Sequence, residues 1–150
     1  MIKYCKEKWI KNKTRLHEAL LESDFINRDS YCSYEDLVKL SVKHILNDNI
    51  NEDDEWDVDN ISEIDNGHYQ GTLLYLIPKK TYQPNEYEYL MTYVGYGSCS
   101  GCDTLINIQD SESEDSIEDY MCLCKDIICN IIKPYNFGWR EDDKYNVVND

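Results

Sequence analysis

The stretch I-S-E-I-D-N-G-H-Y-Q-G-T-L-L-Y-L-I-P, residues 61–78, constrains the fold more than any other part of the chain. Two apolar runs flank Asp65-Asn66-Gly67. An Asn-Gly pair accepts the positive φ angles of a two-residue hairpin turn, whose twist matches the strands it joins. The spacing predicts antiparallel strands at about 56–64 and 68–77, with Trp56, Val58 and Ile61 supplying apolar contacts to the first. Thr72 to Ile77 reads as a central strand covered on both faces, because its apolar residues follow one another without alternation. Pro78 blocks continuation, and P-K-K-T-Y-Q-P-N-E is a loop. Y-E-Y-L-M-T-Y-V-G-Y, residues 87–96, makes the third strand of a meander.

Helical patterns stand on either side. Over residues 3–22, Cys5, Trp9, Leu16 and Leu20 fall near one face with Ala19 beside them, while Asn12 and Thr14 weaken the middle. Ser33-Tyr34-Glu35-Asp36 resembles a capping box and opens a helix over 34–47. Leu37, Leu40, Ser41 and His44 or Ile45 turn inward there, and His44 reads as a flank residue rather than a ligand. Ser116 with Asp119 makes a similar start for a helix over 117–132, striped by Ile117, Tyr120, Met121, Cys124, Ile128, Ile131 and Ile132 and stopped by Pro134. Phe137 and Trp139 pack the tail. The expected fold is α+β: an antiparallel meander of three or more strands packed by N- and C-terminal helices, in a single domain over residues 1–150.

Charge is the outlier of the composition. The chain has 30 acidic and 15 basic residues, a net of −15. Residues 1–15 form a basic helical segment of +5, and the remainder carries −20. Two stretches concentrate the acids, 48–59 and 110–116. The first holds seven of them but lacks the spacing and the glycine of a calcium-binding EF-hand loop, so both read as solvated loops. Phosphate backbones attract positive surfaces, so the main body is not expected to bind nucleic acid, and a partner with a basic surface fits it better. The basic helix can dock on a membrane or an acidic partner, or lie against the acidic body. No segment reaches the roughly 18 apolar residues of a membrane span. The N-terminus does not read as a secretory signal, and seven cysteines then point to a reducing interior.

The candidate site is the loop Gly97-Ser98-Cys99-Ser100-Gly101-Cys102-Asp103. Cys99 and Cys102 have zinc-knuckle spacing, but zinc needs four ligands. His68, Cys122, Cys124 and Cys129 are the available completions, and no second Cys-x-x-Cys exists. On a helix, Cys122 and Cys124 project about 200° apart and cannot share one metal. A redox pair is the second reading, since a strand–loop–helix transition lowers thiol pKa, although Asp103 beside Cys102 opposes a thiolate. An anion nest of backbone N–H groups is the third, without the lysine of a phosphate loop. The fourth is a tight bend with small cysteines packed into it.

Y-L-M-T-Y-V-G-Y-G-S-C-S-G-C-D-T-L, with Y-Q-G-T-L-L upstream and D-Y-M-C-L-C-K-D-I-I downstream, resembles a group of small bacteriophage-encoded proteins of no assigned activity. The resemblance covers about residues 55–133. It implies a virus-encoded protein acting in the host cell cytoplasm and transfers no functional residue. The expectation is a non-catalytic protein with no cofactor that occupies a basic surface of a host or defence protein. The alternatives are a zinc- or thiol-dependent protein using Cys99 and Cys102, or an enzyme in which His68 faces the cysteine loop.

Overall fold

Apolar residues recurring at three- and four-residue intervals form the first helix, α1 (Ile2–Glu22). The structure is a computed structural model, and it describes residues 1–23, 32–48, 54–67, 70–98, 103–110 and 116–134. Cys5, Trp9, Leu16 and Leu20 line the buried face of α1, and Asn12 is buried with them. Asn12 is therefore not a weak point. Its Nδ2 donates to the Ile45 carbonyl at 2.8 Å, which satisfies both buried polar groups.

Ser33 caps α2 (Tyr34–Ser41) as its sequence requires. Its hydroxyl accepts the Asp36 N–H at 3.2 Å, and Asp36 Oδ2 accepts the Ser33 N–H at 2.9 Å. The expected helix over 34–47 changes pitch at Val42 and continues as a π-helical turn, Val42–Leu46. Leu37, Val38, Ser41, Val42, Ile45 and Leu46 are buried, while Leu40 and His44 lie at the flank. The widened turn frees carbonyls at its end, and α1 supplies donors to them: Asn12 to Ile45, and Arg15 Nη2 to the Asn47 carbonyl at 3.3 Å.

Three strands follow in the order β1-β2-β3, all antiparallel: β1 (Ser62–Gly67), β2 (Gly71–Pro78) and β3 (Tyr89–Tyr96). The meander stands, but its first turn is displaced. Asn66 and Gly67 are the last residues of β1, and Gly67 pairs with Gly71, so Asn66-Gly67 belongs to the strand rather than to the turn. Gly67 does not lie in the left-handed φ region that favours glycine. It is needed for space: a Cβ there would clash with the Gln70 carbonyl oxygen and lie 2.9 Å from the Tyr96 hydroxyl. Trp56 and Val58 fall before the strand. Trp56 makes an isolated bridge to Lys79, and a 3₁₀ turn covers Val58–Asn60.

The register sorts the sheet into two faces. Leu73, Tyr75, Ile77, Leu90, Thr92, Val94 and Tyr96 point toward the helices, and Tyr75, Ile77 and Leu90 are fully buried there. Each such side chain contributes roughly 1.5–3 kcal/mol by leaving water. Thr92 sits in this apolar layer because its Oγ1 donates to the Ile127 carbonyl at 2.6 Å. The other face carries Ile64, Leu74, Leu76, Tyr89, Met91 and Tyr93, and none of its strand positions is charged. Leu74 and Leu76 are only half-buried, so β2 is not covered on both faces by the described residues.

A short helix, α3 (Thr104–Asp110), leads to α4 (Ser116–Cys129). Ser116 is the first residue of α4 rather than a residue ahead of it. Tyr120, Leu123, Cys124, Ile127 and Ile128 form its buried stripe, and α1 packs against it. Pro134 does not stop this helix. The chain turns at Asn130, and Ile132 exchanges backbone hydrogen bonds with Met91 at 2.8 and 2.9 Å, which ends the helix before the proline. The result is an α+β fold whose N- and C-terminal helices and α2 share one core with the inner face of the sheet. No helix among the described residues is long and apolar enough to cross a membrane. The interior of the 110–116 stretch and the tail with Phe137 and Trp139 lie outside the described residues.

Candidate functional site

The cysteine loop leaves the end of β3 at Gly97 and returns at Asp103, the residue ahead of α3. Asp103 is 5 % exposed, and its hydrogen bonds explain how a carboxylate is tolerated there. Oδ1 accepts the Ile106 N–H at 3.0 Å, the bond of a helix N-cap. Oδ1 also accepts the Tyr34 hydroxyl at 2.8 Å, and Oδ2 accepts the Gly97 N–H at 2.9 Å. The Tyr34 oxygen in turn accepts the Leu105 N–H at 3.1 Å. One buried carboxylate thus ties the end of β3, the start of α3 and the start of α2 together. Burial is the main influence on the Tyr34 phenol and, with the neighbouring carboxylate, pushes its pKa well above the ordinary tyrosine range despite the Leu105 N–H. Gln109 adds a second tie, donating from Nε2 to the Cys32 carbonyl at 2.7 Å.

Of the seven residues in the candidate loop, Gly97, Ser98 and Asp103 are described; Cys99, Ser100, Gly101 and Cys102 lie outside the described residues, as does His68. Gly97 is buried and Ser98 exposed. Asp103 serves as a helix cap and a staple to Gly97. The strand–loop–helix reading anticipates a helix after this residue, and an Asp directly ahead of T-L-I-N-I is the signal of its cap, though seven helical residues make a short pattern. The Tyr34 contact, 69 positions away, had no local signal.

Among the described residues, the remaining cysteines do not assemble into a metal centre. Cys122 is exposed and Cys124 is fully buried, so they point to opposite sides of α4. Cys129 is half-buried on the same helix. Among the described residues, no group of three or more His, Cys, Asp or Glu is placed to hold a metal ion. Burial pushes the Cys5 and Cys32 thiols up to about 12 and the Cys124 thiol up to about 11. These thiols stay protonated at neutral pH and act as small apolar side chains.

The acidic 48–59 stretch begins with a paired carboxylate. Asp48 Oδ2 accepts Lys8 Nζ at 2.7 Å and Lys11 Nζ at 3.0 Å. Burial alone would raise this carboxyl, but the two ammonium groups outweigh it and hold the pKa at about 2. Next to it, the Asn47 carboxamide pairs with both backbone groups of Trp56, at 2.9 Å to the carbonyl and 2.8 Å from the N–H. The basic face of α1 is thus partly spent inside the molecule, fastening the corner where the acidic stretch starts. No family model, no curated protein and no solved structure matches the chain.

Proposed function

We propose that the chain is a non-catalytic, virus-encoded binding protein that works inside a host cell and engages a basic surface of a partner protein. The observation that supports this reading is the distribution of charge over the fold. Lys8 and Lys11 turn onto Asp48, Lys79 pairs with Asp54, and Lys80 pairs with Glu55. Asp59, Glu63, Asp65 and Glu86 stand exposed at the sheet end of the molecule, with no lysine or arginine in ion-pair contact among the described residues. Repulsion among such groups opposes compaction and is relieved by a cationic partner.

The test is retention of host-cell proteins on the immobilised full chain at low and at moderate salt. Basic proteins should dominate the retained fraction, and their affinity should fall steeply as salt shortens the range of the field. Retention that ignores salt, or that favours acidic proteins, would refute the reading. A second reading, a zinc- or thiol-dependent protein, draws support from the Asp103 staple, because the described residues on either side of the Cys-x-x-Cys stretch, Gly97 and Asp103, are joined by a hydrogen bond. Metal analysis of the purified protein tests it.

A further inference from the structure

We propose that the free edge of β1 takes an extended segment of the partner by strand addition, with lysine or arginine opposite Glu63 and Asp65 and an apolar residue beside Ile64. The inference rests on the reading of a basic partner and assigns that partner a surface and a mode of docking.

The edge is open. β1 pairs with β2 alone, and no other backbone group among the described residues bonds to it. All six of its residues are exposed. The opposite edge of the sheet is already engaged, since Ile132 bridges to Met91 and Asn130 Nδ2 donates to the Tyr93 carbonyl at 3.4 Å. An added strand at β1 finds unpaired backbone donors and acceptors, which supply affinity, and alternating side chains, which supply specificity.

The two rows of β1 ask for different chemistry. On the helix side of the sheet, Glu63 and Asp65 project at alternate positions. Each is held by a phenol: Tyr75 donates to Glu63 Oε2 at 2.8 Å, and Tyr96 donates to Asp65 Oδ1 at 2.6 Å. One oxygen of each carboxylate is thereby fixed and the other remains for a cation. On the outer side, Ile64 continues the uncharged row Ile64–Leu74–Tyr93. Ile64 is 47 % exposed and Tyr93 43 %, so an apolar residue on the incoming strand would extend this row and shelter its end. Side chains directly opposite on neighbouring strands lie about 5 Å apart, close enough for both contacts.

A second copy of the chain is a poor occupant. Pairing two β1 edges would bring four carboxylates together on one face, and like charges opposite one another destabilise a sheet. The same carboxylates therefore guard the edge against self-association while admitting a strand of opposite charge.

The experiment uses the full chain and a synthetic, end-blocked peptide alternating lysine with valine or isoleucine, followed by fluorescence anisotropy and amide hydrogen exchange. The peptide should bind, slow exchange at the amides of β1, and lose affinity by about tenfold or more with Glu63→Lys combined with Asp65→Lys. Glu63→Gln with Asp65→Asn retains acceptors for the two phenols and removes the charge, so it should lose affinity while keeping the melting temperature near that of the parent. Glu18→Lys, on the exposed face of α1, should change binding little. Protection that appears elsewhere, or binding indifferent to both double variants, overturns the edge and leaves the basic-partner reading intact. Failure of the peptide to bind while basic host proteins are still retained has the same meaning. Failure of both overturns both.

Discussion

The Gly97 N–H lies 2.9 Å from Asp103 Oδ2, so one buried carboxylate joins the end of β3 to the start of α3 across the loop that contains Cys99 and Cys102. Removing that carboxylate leaves the Gly97 and Ile106 N–H groups and the Tyr34 hydroxyl without their acceptor. Asp103→Ala should lower stability by about 2–3 kcal/mol, combining a lost cap with unsatisfied buried donors. Tyr34→Phe should remove about 1 kcal/mol. Denaturant unfolding of both variants and their double mutant checks this, and the two losses should be clearly less than additive because the groups share one network. Full additivity would separate Tyr34 from the staple.

Gly67 lacks room for a side chain, not merely a preference for glycine. Gly67→Val places a Cβ against the Gln70 carbonyl oxygen, a backbone atom that cannot step aside, and toward the Tyr96 hydroxyl that holds Asp65. The variant should melt well below the parent, with a loss of about 2 kcal/mol or more. Gly95→Ala is the control, since the nearest atom to its Cβ is 3.9 Å away and the strand itself gains from losing a glycine. Equal thermal denaturation curves for Gly67→Val and the parent would mean that the 67–71 reversal is not built as described.

Much of the fold was legible in the sequence because its signals are local. Cys5, Trp9, Leu16 and Leu20 show the period of α1, Ser33 and Asp36 form the predicted capping box, and the apolar runs of β2 and β3 give two of the three antiparallel strands, while β1 lies later than its expected run. The errors arise where a distant residue decides the outcome. Asn66-Gly67 has turn chemistry, but the close Gly67–Gly71 pairing under Tyr96 holds both residues in the strand. Ile132 fits the stripe of α4, yet the free edge of β3 draws it into a backbone bridge with Met91. T-L-L-Y-L-I is apolar on both faces, so its sequence cannot show that the helices cover only one. Asn12 looks like a helix defect until the Ile45 carbonyl is opposite it. Of the candidate loop, the sequence identified the span but not the role of its last residue, because Asp103 takes its meaning from Gly97 and Tyr34 together.

The cysteine pair is tested by chelation. Cys99→Ser with Cys102→Ser should keep the fold, with a loss in the ~0.5–3 kcal/mol range of ordinary substitutions at each position. Treating the parent with a strong chelator should leave its melting curve in place. About one equivalent of zinc in the purified protein, together with unfolding in chelator, would instead favour the zinc reading, because binding energy at a structural zinc site is folding energy. His68, Cys122 and Cys129 would then be the first ligands to substitute, with the exposed Cys122 and half-buried Cys129 each accessible from the surface of α4.

Acid should attack the fold through Asp48. Its carboxyl pKa is held at about 2 by Lys8 and Lys11, against about 4 for a free aspartate in the unfolded chain. The unfolded state therefore binds a proton first as pH falls, and stability declines where it holds more protons than the folded state. The contribution of Asp48 is complete above about pH 4 and is lost as pH falls through about 2, with a size on the order of 1–2 kcal/mol once solvent screening at the exposed Lys11 is allowed for. Asp48→Asn should remove this part of the acid limb and lower stability at neutral pH by a similar amount. Lys8→Met should flatten the same limb, because Lys8 makes the shorter contact and is the less exposed of the two lysines. Denaturant titrations of the three proteins at pH 7, 4 and 2.5 make the comparison. An acid limb of unchanged depth in Asp48→Asn would show that the Lys8–Asp48–Lys11 corner does not couple folding to protonation.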